Sequence, residues 1–421
     1  MGNHAPVPGL TQRLHARHRH DNPLQLLAAA PHRLLFFVGA SNVLLAMAWW
    51  SWQLIAMRWP HLRATLDPEV PSGWVHATLM QYQVLPAFIF GFLITVIPRW
   101  TNQPALGRRH YLPVGLGLLG GQLLTLIGVS GVPELLLPGI ALTTLGWTLA
   151  TSYLVALLWR QRTCTWHAIS SVAALILGLL GLCAFGWFLL SPHALLLFAS
   201  IKIGTFGLLL PIYFTVCHRM LTFFASRVVA GYRVTTPMIT LAAFWVLTLA
   251  HLALELLHRY EFLWAIDINL MILTAGLLAL WWPRAPMPPL LRVLFLGYAW
   301  LPVSMALYAF QSGWYAASGE FLLGRGPAHA MYIGFFGSML VAMVTRVTQG
   351  HSGRPLVLGR VAAFAFVTVQ LVAITRVLAE VLADGLLWQV IAAVGWLAAF
   401  LPWVLRSGTI YLTPRADGAP G

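Results

Sequence analysis

The sequence predicts an all-α fold, a polytopic integral membrane bundle of about twelve transmembrane helices with both termini cytoplasmic. Three observations carry this. Hydrophobic residues make up 59% of the 421 positions and charged residues only 9%, where a soluble domain carries about 25% charge. Mean hydropathy is +0.78, and apolar runs long enough to cross a bilayer recur along nearly the whole chain. The basic residues sit in short connections between those runs, and alternate connections are the basic ones.

In chain order, residues 1–32 form a basic, His-rich tail carrying His4, His15, His18 and His20, read as solvated or facing lipid headgroups. Its polarity and the length of the first apolar run argue against a cleaved signal peptide. Residues 33–405 form a single membrane domain, and 406–421 a second cytoplasmic tail. The expected spans are 33–57, 73–97, 112–130, 134–158, 168–190, 194–217, 236–258, 262–282, 290–311, 327–347, 357–380 and 386–405. The least marked breaks are 131–133 and His258–Phe262. The two halves show no internal repeat.

With the N-terminus inside, every inner connection is basic. All but six of the 25 basic residues fall there, the exceptions being Arg58, Arg63, Lys202, Arg259, Arg325 and Arg376. This spread through loops excludes a nucleic-acid surface despite the net charge of +14. Cys164, Cys183 and Cys217 form no CxxC pair and no disulfide framework.

The polar residues within the spans are the site candidates. Lys202 is the only lysine; His251 and Glu255 share a helix face at four-residue spacing; Asp267 opens span eight; Arg376 and Glu380 are again four apart. All lie in the outer half. Ionisable groups at that depth are costly unless paired or facing a cavity, so together they predict an outward-opening polar cavity. Their structural alternatives are a snorkelling lysine and a plain ion pair.

Span ten, in the stretch Pro327–Leu356, has His329 at one end and His351 just past the other. Twenty-two positions of helix span about 33 Å, the thickness of the hydrocarbon core, so these two histidines lie at opposite faces. Met331, Met339 and Met343 on the same span read as packing. His76, near the outer start of span two, matches the depth of His329, and His218 at the inner end of span six matches that of His351. Two imidazoles at one depth on different helices are the donor set for a haem iron or a copper ion. Arg219, Arg346 and Arg354 lie near the inner pair and are candidate partners for propionates or other anions.

Four sequence blocks carry a family resemblance. They are Pro31 to Phe37 (PHRLLFF), Gly91 to Thr101 (GFLITVIPRWT), His218 to Phe224 (HRMLTFF) and His329 to Pro355, which ends in MVTRVTQGHSGRP. The chain resembles the NnrS family, bacterial inner-membrane proteins of twelve spans associated with haem, copper and the response to nitric oxide. The resemblance implies a multi-pass protein of the bacterial inner membrane that binds or handles nitric oxide in nitrosative stress or denitrification. It implies a haem, b-type, held among His76, Met80, His218, His251, His329 and His351, and a quinol or redox-protein electron donor. Where the family reads HAHEM, this chain reads His76, Ala77, Thr78, Leu79, Met80. The second histidine and the glutamate are absent, so copper is less expected than haem.

Two functions compete. The first is a haem protein that binds or converts nitric oxide, an oxidoreductase if it turns over. The second is a secondary transporter of an ion or metal chelate, with Lys202, Glu255 and Asp267 as coupling residues. No Gly-rich GKS/GKT loop is present, which disfavours an ATP-driven pump. The absence of a His-His dipeptide disfavours a haem–copper oxidase-type reductase.

Overall fold

The computed structural model describes residues 22–62, 70–161 and 165–419. The histidines of the N-terminal tail lie outside the described residues. Twelve helices are long and apolar enough to cross a membrane: α1 Pro31–Arg58, α2 Ser72–Trp100, α3 Arg108–Val129, α4 Pro133–Arg160, α5 Trp166–Leu190, α6 Ala194–Val228, α7 Met238–Leu256, α8 Tyr260–Trp281, α9 Pro289–Ser318, α10 Gly326–His351, α11 Arg360–Leu378 and α12 Gly385–Tyr411. Each matches a predicted span. Helix α6 runs well beyond the expected 217, and α12 beyond 405, because both continue past the apolar stretch. An even number of crossings places both ends of the bundle on one side, called here the terminal side.

The helices are arranged in three arcs of four. In the first, α3 packs on α4, α4 on α5, and α5 on α6; in the second, α7 on α8, α8 on α9, and α9 on α10; in the third, α11 on α12, α12 on α1, and α1 on α2. The last member of each arc turns inward. Helices α2, α6 and α10 therefore meet at the centre, and α2 and α10 are the most enclosed, with 83% and 78% of their apolar windows buried, against 28% for α8. A repeat sought between two halves is invisible because the helices group by fours.

Each central helix contains a widened π-helical segment: Leu79–Val84 in α2, Ile203–Leu209 in α6 and Ala330–Gly337 in α10. Such segments release backbone carbonyls from the regular ladder, and in a dry interior each needs a new donor. Pro86, lacking an N–H, cannot bond the carbonyl of Tyr82, and Trp147 Nε1 donates to that carbonyl instead at 2.8 Å. Asn42 Nδ2 donates to Gln83 O at 3.0 Å. In α6, Ser200 O accepts from Tyr82 Oη at 2.6 Å and Ile201 O from Gln81 Nε2 at 3.1 Å. The π segments are thus stitched to their neighbours by side chains.

Small residues set the closest approach, between α3 and α4. A Cβ placed on Gly139 would lie 2.6 Å from the Thr125 backbone nitrogen and 2.9 Å from Gly121 O. Gly139→Val is expected to cost about 1–3 kcal/mol through overpacking, seen as a lower thermal-aggregation midpoint in detergent. Gly276→Ala, where a Cβ meets nothing within 4 Å, is expected to be neutral or to stabilise by up to about 1 kcal/mol.

Candidate functional site

On the side opposite the termini, the starts of α2 and α10 bring His76 and His329 within electrostatic reach of each other. Neither a ring contact nor a hydrogen bond joins them. The His76 ring is stacked on Trp50 of α1, with centroids 4.5 Å apart and planes 9° from parallel. Its Nδ1 is buried without a partner. His329 Nδ1 lies 2.9 Å from Arg325 O. A carbonyl accepts only, so Nδ1 carries the proton and the Nε2 lone pair is free. The pair therefore presents two imidazoles with uncommitted nitrogens.

Two arginines accompany this pair, and neither is among those the sequence suggested for an anion. Arg325 precedes α10, and its Nη1 lies 3.4 Å from where a Cβ on Gly73 would stand, one turn before His76. Arg376 of α11, within electrostatic reach of both imidazoles, pairs with Glu380 at 2.5 Å. Glu380 in turn lies against Gly324, whose φ of 48° takes the left-handed turn that a side chain would strain. The Arg376–Glu380 pair thus belongs with the two histidines.

Below them, one residue from each π segment meets the others. Gln81 Nε2 donates to Thr205 Oγ1 at 3.0 Å and also to Tyr332 Oη, and Thr205 and Tyr332 bond each other. This junction of α2, α6 and α10 underlies the histidine pair, since Gln81 and Tyr332 follow His76 and His329 on their own helices.

Lys202, His251, Glu255 and Asp267 form a separate group across α6, α7 and α8. Lys202 Nζ bonds Glu255 Oε1 at 2.8 Å, and His251 Nδ1 bonds Asp267 Oδ1 at 2.7 Å. His251 Nε2 faces Glu255 Oε1 at 3.5 Å. The intramembrane polar residues accordingly divide into two clusters where one cavity was expected, because α11 lies on the other flank of α10 from α7 and α8. Both nitrogens of His251 face carboxylates.

On the terminal side, His218 and His351 each have a different partner. His218 Nδ1 is 3.0 Å from His167 Nε2, and its Nε2 is 3.0 Å from Thr240 Oγ1. His351 is in ring contact with His32 at 4.3 Å. Each of these two histidines thus has an imidazole neighbour of its own. Arg219 lies over Trp100 at 4.6 Å and Arg346 over Phe224 at 4.0 Å, cation–π contacts that commit both faces. Arg354 keeps a buried Nη1 without a partner. The C-terminal segment covers this region: Arg33 Nη2 donates to Thr413 O at 2.6 Å, Ala416 N donates to Ser352 O at 2.9 Å, and Asp417 lies against Gly353.

Among the described residues no three His, Cys, Asp or Glu side chains come together as a metal-ion cluster. Thr78 Oγ1 bonds Trp74 O at 3.0 Å and Leu79 is wholly buried, so the two divergent positions do packing. Met80 is partly buried against the apolar core. Between α1, α2, α6 and α10 lies an apolar cavity of about 60 Å³, lined by Phe36, Phe88, Cys217, Met339 and Met343 among others.

A family model described as NnrS protein matches residues 26–415. The chain belongs to the NnrS family. No curated protein matches it. The match spans all twelve helices, so the central α2, α6 and α10 and both histidine levels lie within the NnrS region.

Several site residues escaped sequence reasoning. Trp50, Tyr332, Gln81 and Thr205 look like ordinary span residues. His167 was detectable, lying at the start of span five at the depth of His218. His32 stands in the PHR block, and Arg325 just before span ten.

Arg415 holds the exposed Asp417 carboxyl down at about 2 through a paired hydrogen bond. A carboxyl lowered on folding contributes above its unfolded value of about 3.9 and loses that contribution as pH falls through the folded value. The protease resistance of the C-terminal segment is therefore expected to stay level from about pH 5 to pH 9. Arg415→Ala should weaken it throughout that range, as read by carboxypeptidase digestion.

Proposed function

We propose that this NnrS protein is a membrane haem protein that binds or handles nitric oxide, and that His76 and His329 would hold the haem. The observation that carries the reading is the pair itself. Two helices from different arcs deliver imidazoles to one depth, with the unpartnered His76 Nδ1 and the free Nε2 of His329. This donor set suits a haem iron. A buried imidazole nitrogen without a partner is otherwise costly. Arg325 and Arg376 supply the cationic side chains that propionates require, taking the role the sequence suggested for Arg219, Arg346 and Arg354.

The chain's own residues set the conditions for a bound group. Trp50 fixes the plane of the His76 ring by stacking, and the Arg325 carbonyl fixes the His329 tautomer. The Gln81–Thr205–Tyr332 junction holds both helices in register beneath. When bound, the haem would supply an iron able to take a gas ligand or pass electrons, the latter to or from a quinol or redox protein. The apolar cavity beside Met339 and Met343 suits a small uncharged molecule such as nitric oxide. Copper fits less well, because among the described residues no third His, Cys, Asp or Glu joins the two imidazoles in a cluster. The reading includes an inner-membrane setting, and the basic connections support a cytoplasmic terminal side through the positive-inside rule.

The test is an optical spectrum of the detergent-purified protein, oxidised, then reduced, then exposed to nitric oxide. A Soret band that shifts with nitric oxide is expected. His76→Ala and His329→Ala are each expected to lose most of the bound haem at unchanged monodispersity. Full retention in both variants would refute the assignment and point to His32, His351, His167 and His218. A colourless protein from haem-replete cells would favour transport through the Lys202 cluster instead.

Gln81→Leu should strip Ile201 O, Thr205 and Tyr332 of a shared donor and destabilise the bundle by about 1–3 kcal/mol. A lowered thermal midpoint, accompanied by weakened haem retention, is the expected result.

A further inference from the structure

Helices α6, α7 and α8 enclose four ionisable side chains that the haem reading does not use. His251 and Asp267 are 0% exposed and Glu255 3%, whereas the Lys202 side chain keeps 25% of its surface exposed. Three polar atoms in the group are buried without hydrogen-bond partners: His251 Nε2, Glu255 Oε2 and Asp267 Oδ2. Phe206 covers one face of the imidazole at 3.8 Å, and Tyr308 approaches it edge-on at 5.5 Å. We propose that Lys202, Glu255, His251 and Asp267 form a proton-exchange relay between the buried imidazole of His251 and the membrane face opposite the termini.

The charge balance defines what the relay carries. Two carboxylates and one ammonium leave one negative charge uncompensated in an apolar surrounding, which is costly. A proton on His251 removes it, and the ring is placed to hold that proton, with one nitrogen toward Asp267 and the other toward Glu255. The group is thus neutral with the imidazolium and carries one negative charge without it. Release proceeds from Nε2. Glu255 turns to close the 3.5 Å gap, its carboxylate takes the proton, and the resulting acid passes it to water beside Lys202. His251 is left neutral, its Nδ1–H still donating to Asp267 Oδ1, and Glu255 is again ionised. Lys202 holds Glu255 in place through its 2.8 Å hydrogen bond. Titratable groups face the relay from every neighbouring element. They are Lys202 on α6, Glu255 on the same helix as His251, Asp267 on α8 and Tyr308 on α9. Tyr332 on α10 and Tyr260 at the start of α8 stand behind Tyr308 and Glu255 respectively.

The relay does not depend on the haem assignment, and its test needs no bound cofactor. Full-length protein in a lipid film is perfused alternately with acid and alkaline buffer while infrared difference spectra are recorded. A reversible imidazolium-to-imidazole conversion is expected in the wild type, and its loss in His251→Asn assigns the band. Glu255→Gln, which keeps shape and removes the proton acceptor, should slow or abolish the conversion. Lys202→Met should do so less, through loss of positioning. If His251→Asn fails to fold, isotope-labelled histidine in wild type and in Glu255→Gln provides the assignment. A static ion network would show no conversion at His251, or one with equal kinetics in wild type and Glu255→Gln; either result overturns the proposal.

Discussion

Backbone hydrogen bonding in a dry interior is the constraint on which the rest of this structure depends. The three central helices each carry a π-helical turn, and each such turn frees carbonyls that hydrocarbon cannot satisfy. Their partners come from elsewhere in the chain: Trp147 for Tyr82 O, Asn42 for Gln83 O, Gln81 for Ile201 O and Tyr82 for Ser200 O. The same bonds that repair the ladders lock α2 and α6 to each other and to the outer ring. At the Gln81–Thr205–Tyr332 junction α10 is locked as well.

Two polar clusters stand on this frame and differ in kind. The His76–His329 cluster has nitrogens without protein partners and arginines as neighbours, the features on which the proposed function rests. The Lys202–Asp267 cluster balances its own charges internally, so it needs no guest and is placed to gain or lose a proton.

The terminal side follows a different logic. Histidines there contact one another directly, arginines lie on aromatic faces, and the C-terminal segment folds back over the Gly353 loop. The arrangement is that of a closed cap. Arg33 and Arg108 donate to backbone carbonyls there, and Arg219, Arg227 and Arg346 lie over aromatic rings.

The sequence by itself determined the twelve crossings and the family. These follow from apolar run length, from short motifs and from the fixed rise of a helix, all local properties. It also singled out Lys202, His251, Glu255 and Asp267, because a charge within an apolar run is conspicuous wherever it packs. Only the tertiary structure decided which polar groups meet. His76 and His329 share a site because α2 and α10 both turn inward, whereas His218 and His351, equally matched in depth, each pack against another histidine. Arg376 went to the histidine pair and not to Lys202 because α11 lies on its own flank of α10. Gln81, Thr205 and Tyr332 carried no signal in the sequence, since a single polar residue in a span acquires its meaning from the helix that faces it.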